Sequence, residues 1–337
     1  MISYSFIIPH KNIPSLLKRC IASIPNLPDI EIIVIDDNSN EKTVEELKKI
    51  SRDNLRIFFS KENKGAGYAR NIGLNNAQGK WVLFADADDF FVPNIFEIIN
   101  PYRDDPHNLI LFNSICKQSE NLSQDGDRKS LCDDFSKKQK AFLDGKTDAI
   151  HLLVKVCVPW SKMIRLDHLL ANNIFFEEVK YANDVGWCTL LALKTKDKDI
   201  FVSNKTLYCL TDRASSLFHT RDDSAYLCRF GVLCRQQMLL NEVNIHTPFN
   251  FCDYVIQARL KGILFLLKFY TYILRSDFQI DTVYSIEKKI QFKKPFIYMF
   301  IQFVKSILNL PLDFIRCCNK VFKNFYCNKK HARSLHK

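Results

Sequence analysis

The chain has 337 residues, 47% of them hydrophobic and 25% charged, enough for two domains of about 100–200 residues each; this composition excludes a disordered, collagen-like or small disulfide-bonded protein. The formal charge of +11 is uneven: residues 285–337 carry 12 Lys or Arg against two acids, together with seven Phe, which leaves 36 basic against 35 acidic side chains before them. A nucleic-acid binder spreads its basic residues over a folded face, so this tail argues against nucleic acid and points to a membrane surface.

In chain order, Ile2–Pro9 is too short and lacks the basic start of a secretory segment. Apolar runs of strand length at Tyr4–Ile8, Glu31–Ile35, Leu55–Phe59, Trp81–Ala85 and Leu109–Ile115 alternate with helical patterns at Pro14–Ile24, Glu41–Ile50 (with Asn40 as its cap) and Tyr68–Ala77. This rhythm predicts an α/β protein with a mostly parallel, Rossmann-like sheet flanked by helices, and a ligand site beyond the carboxyl ends of the strands. Residues 117–140 are charged with little periodicity and predict a surface excursion or lid, while Leu207–Leu210 predicts a later strand. Tyr226–Asn241 and Phe251–Leu274 predict packing helices, a helical C-terminal region. The longest apolar stretch, Phe296–Leu310, is interrupted by Lys305 and bounded by Pro295 and Pro311, short of the roughly 20 residues of a membrane span. Phe292, Phe296, Phe300, Phe303, Ile307 and Leu310 recur at three or four residues, an apolar helical face for lying on a membrane. The 12 Cys include no C-x-x-C, which favours reduced thiols over a zinc site.

The unusual residues gather at strand ends. Pro9-His10-Lys11-Asn12 follows the first strand, Asp36-Asp37-Asn38-Ser39 the second, and Asp86-Ala87-Asp88-Asp89 the fourth. The third connection runs Asn63-Lys64-Gly65-Ala66-Gly67-Tyr68-Ala69-Arg70-Asn71, where backbone N–H groups and a guanidinium suit a diphosphate. Two other phosphate motifs fail: the third glycine of G-x-G-x-x-G falls at Arg70, and Gly145-Lys146-Thr147 has Lys140 where a P-loop needs glycine. Clustered carboxylates after an apolar strand repel one another unless a cation sits among them, and Mg²⁺ or Mn²⁺ between carboxylate and diphosphate fits that need. The bland alternative is a solvated acidic loop, but apolar residues on both sides of it imply that it is gripped.

Together these four segments resemble the family 2 glycosyltransferases, inverting enzymes of the GT-A fold that use nucleotide sugars; the bacterial surface-polysaccharide type is the nearest in character. Members read Pro-x-x-Asn, Asp-Asp-x-Ser, Asn-x-Gly-x-x-x-Ala-Arg-Asn-x-Gly and Asp-x-Asp-Asp, and this chain has Pro9 to Asn12, Asp36 to Ser39, Asn63 to Gly73 and Asp86 to Asp89 in that order. The resemblance covers roughly residues 3–215. It implies that Asp37 binds the uracil ring, Arg70 the diphosphate, Asp86 the ribose and metal side, and Asp88 the metal, Mg²⁺ or Mn²⁺. Pro9, His10, Asn12, Gly65 and Gly67 join the expected nucleotide site.

Val158-Pro159-Trp160-Ser161-Lys162-Met163-Ile164-Arg165 is similar to the Pro-Trp-x-Lys segment of many bacterial members, and Tyr181-Ala182-Asn183-Asp184 stands where the family usually has Glu-Asp, whose Asp is the general base. Asn183 departs from that pattern. Asp184 is nevertheless the expected base, because a hydroxyl attacking an anomeric carbon needs a carboxylate within reach. Glu177, Glu178 and Asp223 are fallbacks, and a helix N-terminal acid ahead of Val185–Lys194 is the structural alternative. The eight His show no metal-ligand spacing and read as scattered surface or core residues; His10 lies beside the expected nucleotide site, and His219 follows the Leu207–Leu210 strand in a region that in relatives often closes over the donor. The expected organisation is a nucleotide-sugar half at 1–115, an acceptor half with the base at 116–220, a helical region at 221–285 and a basic amphipathic membrane-associating tail at 286–337. The implied function is transfer from a UDP-sugar to a carbohydrate or lipid-linked saccharide in capsule, exopolysaccharide or lipopolysaccharide assembly. That places the protein in the cytoplasm, peripherally on the inner face of the cell membrane. The rival reading is a catalytically inactive, membrane-associated relative acting as a partner in an assembly complex. A nucleotidyltransferase would want glycines after the first strand, which are missing.

Overall fold

The computed structural model describes residues 2–213, 220, 222–245, 254, 257, 258 and 260–275. The chain begins with β1 (Tyr4–His10), α1 (Pro14–Ala22), β2 (Ile30–Asp36), α2 (Glu41–Lys48), β3 (Leu55–Phe59), α3 (Ala66–Asn76) and β4 (Trp81–Phe84), the alternation expected from its apolar runs. β1 and β2 are buried at every position, which is why they read as unbroken apolar runs rather than alternating ones. The Asn40 side chain caps α2 by accepting from the Thr43 N–H at 2.9 Å, whereas α1 starts on Pro14. α3 lies tight on the sheet, since a Cβ on Gly73 would stand 2.3 Å from Ile7 Cγ2.

There follow β5 (Phe90–Phe91), α4 (Ile95–Ile99), β6 (Leu109–Gln118), α5 (Lys129–Leu143), α6 (Ala149–Lys155), β7 (Lys162–Arg165), α7 (Leu166–Ala171), α8 (Asn183–Lys194), β8 (Ile200–Asp212) and α9 (Asp223–Asn241). The described strands join one eight-stranded sheet in the order β3-β2-β1-β4-β7-β6-β8-β5. β1, β2, β3, β4, β6 and β8 point one way; β7 and β5 run against them. The sheet is therefore parallel where predicted and mixed beyond β4, because β7 is inserted between β4 and β6 with Val82 opposite Ile164 and Ile110 opposite Met163. Residues 115 and 116, the expected division between donor and acceptor halves, both lie within β6.

One segment differs from expectation. Within 117–140, residues from Lys129 onward form α5, which turns Cys132, Phe135 and Gln139 inward. Phe135 packs on Trp160 at 5.2 Å between ring centroids, and Gln139 donates to the Phe112 carbonyl. Its apolar positions are sparse, and a glutamine fills one of the inward places, so charge hid the helical period.

β5 has a positional role. It pairs Phe91 with Tyr208 and Phe90 with Cys209 of β8, and so fastens the acidic loop between β4 and β5 onto the end of β8. Met1–Ile245 form one compact unit; in the second, His246–Lys337, α10 (Ile263–Arg275) is described. The packing helix expected over Phe251–Leu274 is thus borne out over its final turns. The tail at 286–337 lies outside the described residues, as does His219. Among the described residues, no helix is long and apolar enough to cross a membrane.

Candidate functional site

The ends of β1 and β2 are laced together. The Ile13 N–H donates to His10 Nε2 at 3.1 Å, which puts the ring proton on Nδ1, 2.8 Å from Asp36 Oδ1. Asp36 also accepts from the Ser39 hydroxyl and amide. Burial acts to raise the Asp36 carboxyl, but the bonds from His10 and Ser39 prevail and hold it below its ordinary value. Asn12, in the left-handed region at φ 54°, accepts from the Asn40 N–H and donates its own N–H to Ser39. Pro9 is buried in β1, opposite Ile35 of β2. His10, Pro9 and Asn12 thus serve the framework of this wall, and both ring nitrogens of His10 are taken.

The glycine turn before α3 differs from the expectation of an open diphosphate cradle. The Lys64 and Gly65 N–H groups each donate at 3.0 Å to Asp37, one to each carboxylate oxygen. Gly65 has φ 94°, and a Cβ on Gly67 would stand 2.2 Å from the Glu177 carbonyl oxygen. Gly65 therefore supplies a backbone turn, and Gly67 lets α3 approach the strand of chain leading to α8. Asp37 is buried just beyond β2, its carboxyl raised by burial against the Gly65 and Lys64 bonds and the Lys11 charge.

At the end of β4, Asp86 gives Oδ1 to Arg70 Nη2 at 2.6 Å, and Asn183 gives Oδ1 to Nη1 of the same guanidinium at 2.7 Å. Arg70 lies over the Phe176 ring, which stacks on Trp187 of α8 at 4.6 Å. Its buried Nε has no partner. Arg70 thus joins the acidic loop to the first turn of α8, and of its three nitrogens only Nε makes no bond. Asp88 gives Oδ2 to Arg213 Nε at 2.7 Å, while its carbonyl accepts from Arg19 and Thr211. Asp89 is buried, and burial together with the charges of Asp88 and Asp86 drives its carboxyl well above its ordinary value.

For a cation, one oxygen each of Asp86 and Asp88 remains beside those given to arginines, with 35% and 16% of the two side chains exposed. Among the described residues, no three His, Cys, Asp or Glu side chains close a cage. That donor set fits Mg²⁺ or Mn²⁺, hard ions that take one or two carboxylates and draw their other ligands from phosphate and water.

Asp184 stands in the first turn of α8, whose backbone enters through Ala182 at φ 57° with no side-chain cap. Dense surroundings push its carboxyl up to about 6, against the opposing charge of Arg70. Beneath it Lys162, fully buried, donates to the carbonyls of Val156 and Val158, and burial lowers its ammonium. Of the fallback bases, Glu177 is paired with Arg235 at 2.8 Å, Glu178 stands on the connection to α8, and Asp223 starts α9. The arrangement sets a carboxylate of raised basicity across one guanidinium from a cation-ready acidic loop. Sequence reasoning did not find Arg19, Tyr208 and Thr211, which hold that loop; the signal for Tyr208 and Thr211 is a polar group buried within the apolar strand β8, and Arg19 gives none.

Residues 5–169 match the profile described as Glycosyl transferase family 2. Over this stretch, just under half of the chain, the protein is similar to that family. A relative from Campylobacter jejuni, GalNAc(5)-diNAcBac-PP-undecaprenol beta-1,3-glucosyltransferase, is 28% identical over 72% of this chain and 75% of its own length. The minor teichoic acid biosynthesis protein GgaB of Bacillus subtilis is 26% identical over 77% of this chain and 29% of its own. Among solved structures, S. aureus TarS 1-349 in complex with UDP-GlcNAc superposes with a TM-score of 0.55 at 19% identity, covering 81% of this chain and 73% of that one. The fold is thus the GT-A fold of family 2, in which β4 carries the acidic loop and α8 the candidate base.

Proposed function

We infer that the protein is an inverting glycosyltransferase that moves a hexose from a UDP-sugar to a carbohydrate or lipid-linked saccharide, in the assembly of bacterial capsule, exopolysaccharide or lipopolysaccharide. The observation that carries this reading is the Arg70 bridge: one guanidinium bonds Asp86 of the acidic loop and Asn183, the neighbour of Asp184. The donor and acceptor sides of a displacement are thereby held in one unit. TarS, solved with UDP-GlcNAc, supports the donor class, and the undecaprenol-linked saccharide in the name of the Campylobacter relative supports the acceptor class.

In this reading Asp37 takes the uracil edge, and Asp86 and Asp88 hold Mg²⁺ or Mn²⁺. The bound cation supplies positive charge to the departing diphosphate. Asp184, with a carboxyl raised to about 6, is ionised at neutral pH and more basic than an ordinary aspartate. It accepts the proton of the acceptor hydroxyl as that oxygen bonds the anomeric carbon, and the bond from that carbon to the diphosphate breaks on the opposite face. Arg70, committed to Asp86 and Asn183, fixes the distance between these events. Asn183 gives no support to the inactive-partner reading, because its amide oxygen occupies Arg70 and leaves Asp184 in place. The tail at 286–337 holds the protein on the anionic inner face of the membrane, each basic residue contributing about 1 kcal/mol near that surface.

A screen of sugar nucleotides for Mn²⁺- or Mg²⁺-dependent binding and slow hydrolysis tests the reading. Cation-dependent binding of at least one UDP-sugar is expected; binding of none, or hydrolysis undiminished in chelator, refutes it.

A further inference from the structure

The acidic loop is a single turn, closed by the Asp89 N–H donating to the Asp86 carbonyl at 3.0 Å. Two carboxylates on so short a turn move together when its backbone moves. The loop does not hold itself: each of its anchor points is met by a group from elsewhere. The Asp86 N–H donates to the Tyr208 hydroxyl at 2.8 Å, and that hydroxyl donates to Asp89 Oδ2 at 2.9 Å. The Thr211 N–H donates to Asp89 Oδ1 at 2.7 Å. Thr211 Oγ1 and Arg19 Nη2 both donate to the Asp88 carbonyl, and Arg19 also reaches Thr211 Oγ1 at 3.1 Å.

Tyr208 holds the centre of this arrangement. Its ring is fully buried, stacked on Trp160 with centroids 5.4 Å apart and planes 7° apart, and edge-on to Phe91 at 5.3 Å. Strand pairing of Phe91 with Tyr208 fixes the height of the ring. The hydroxyl is thus delivered by a rigid aromatic stack to one backbone amide, that of Asp86, and to one buried carboxyl, that of Asp89. Cations bind such carboxylates with little tolerance in distance, and the groups that orient ligands set their affinity.

We propose that Tyr208 is a positioning residue for the reaction, its hydroxyl setting Asp86 and Asp88 at the separation a divalent cation needs, with Thr211 and Arg19 completing the clamp. This rests on the reading of Asp86 and Asp88 as the cation-binding pair. Tyr208→Phe keeps the ring and its stacking and removes only the oxygen. The Asp86 N–H then loses its acceptor, Asp89 loses a donor, and the turn relaxes.

The test is calorimetric and independent of turnover. Binding of Mn²⁺ in the presence of saturating UDP, and of UDP in chelator, is measured for the full chain, for Tyr208→Phe, for Thr211→Val and for Tyr102→Phe. The last removes a tyrosine hydroxyl bonded to Ser203 at 3.0 Å, outside the acidic loop. Tyr208→Phe is expected to weaken Mn²⁺ binding by about tenfold or more and to leave UDP binding in chelator within about twofold. Thr211→Val moves the same way by a smaller factor, and Tyr102→Phe leaves both unchanged. Equal Mn²⁺ affinity in Tyr208→Phe and the parent overturns the proposal while sparing the cation pair, as does an equal loss of UDP binding in chelator, which marks general distortion. A parent that binds no Mn²⁺ with UDP removes the reading beneath it as well.

Discussion

Replacing Asp184 by Asn separates its chemistry from its place in the helix. The carboxyl is displaced from 3.8 to about 6, with burial the largest cause. For a group whose folded value lies above its unfolded value, the associated stability is fully present below the unfolded value and lost as pH rises through the folded one. Ionised Asp184 is therefore a burden at pH 8 and none at pH 3.5. The displacement corresponds to at most about 3 kcal/mol at high pH, and the partly open side chain reduces this to about 1–3 kcal/mol. Asp184→Asn removes the burden, so without cation or nucleotide its thermal midpoint should exceed that of the parent at pH 8 by about 2–12 °C, at about 2–4 °C per kcal/mol for a unit of this size. The gain should shrink between pH 6 and pH 4 and vanish below. UDP-sugar affinity should persist while turnover falls by about 10²–10⁴. In the parent, kcat/KM should fall tenfold per pH unit below about 6. A variant less stable than the parent at every pH, with donor affinity lost in step, would make Asp184 a helix-terminal acid and remove it from the chemistry.

Asp88→Ala is expected to abolish cation-dependent UDP binding in calorimetry while circular dichroism stays unchanged, since the deleted carboxylate is at a strand end; normal turnover at saturating Mn²⁺ would exclude the assignment. Gly67→Ala drives a Cβ to 2.2 Å from the Glu177 carbonyl oxygen and should lower the thermal midpoint well beyond Gly145→Ala, where φ is 67° but the space is open and the cost is about 1 kcal/mol. Truncation after Tyr284 should release the protein from anionic liposomes in sedimentation, and raised salt should weaken binding of the full chain; retention by the truncated form would reassign the tail to packing.

The first half of the fold was legible because its signals are local. β1, β2 and β4 are buried apolar runs, Asn40 is a cap, and the polar residues after each strand mark one edge of a parallel sheet. What the sequence hid is relational. Nothing in Lys162–Arg165 announces that β7 runs against its neighbours, and the inward face of α5 is sparse because Gln139 substitutes a hydrogen bond for an apolar contact. The loop glycines illustrate the same limit at the site. A glycine-rich turn before a helix suits an anion in general, but here Asp37 already takes the Lys64 and Gly65 amides, and Gly67 is required by packing. Residue types were readable; which of two partners each would choose depends on contacts across more than 100 residues, such as that of Asn183 with Arg70.

That contact also explains how the site tolerates its departure from the family's usual Glu-Asp. Arg70 must balance Asp86, whose loop carries three carboxyls, and a second acid at position 183 would draw the guanidinium toward α8 and place another negative charge beside Asp184. An amide accepts the Arg70 N–H without competing as a charge. The guanidinium stays with Asp86, and Asp184 is raised chiefly by burial rather than by a like charge at its side. With Asn183 neutral, Asp184, the proposed base, remains ionised at neutral pH, so the amide changes the electrostatics of the bridge while preserving the geometry that the proposed displacement requires.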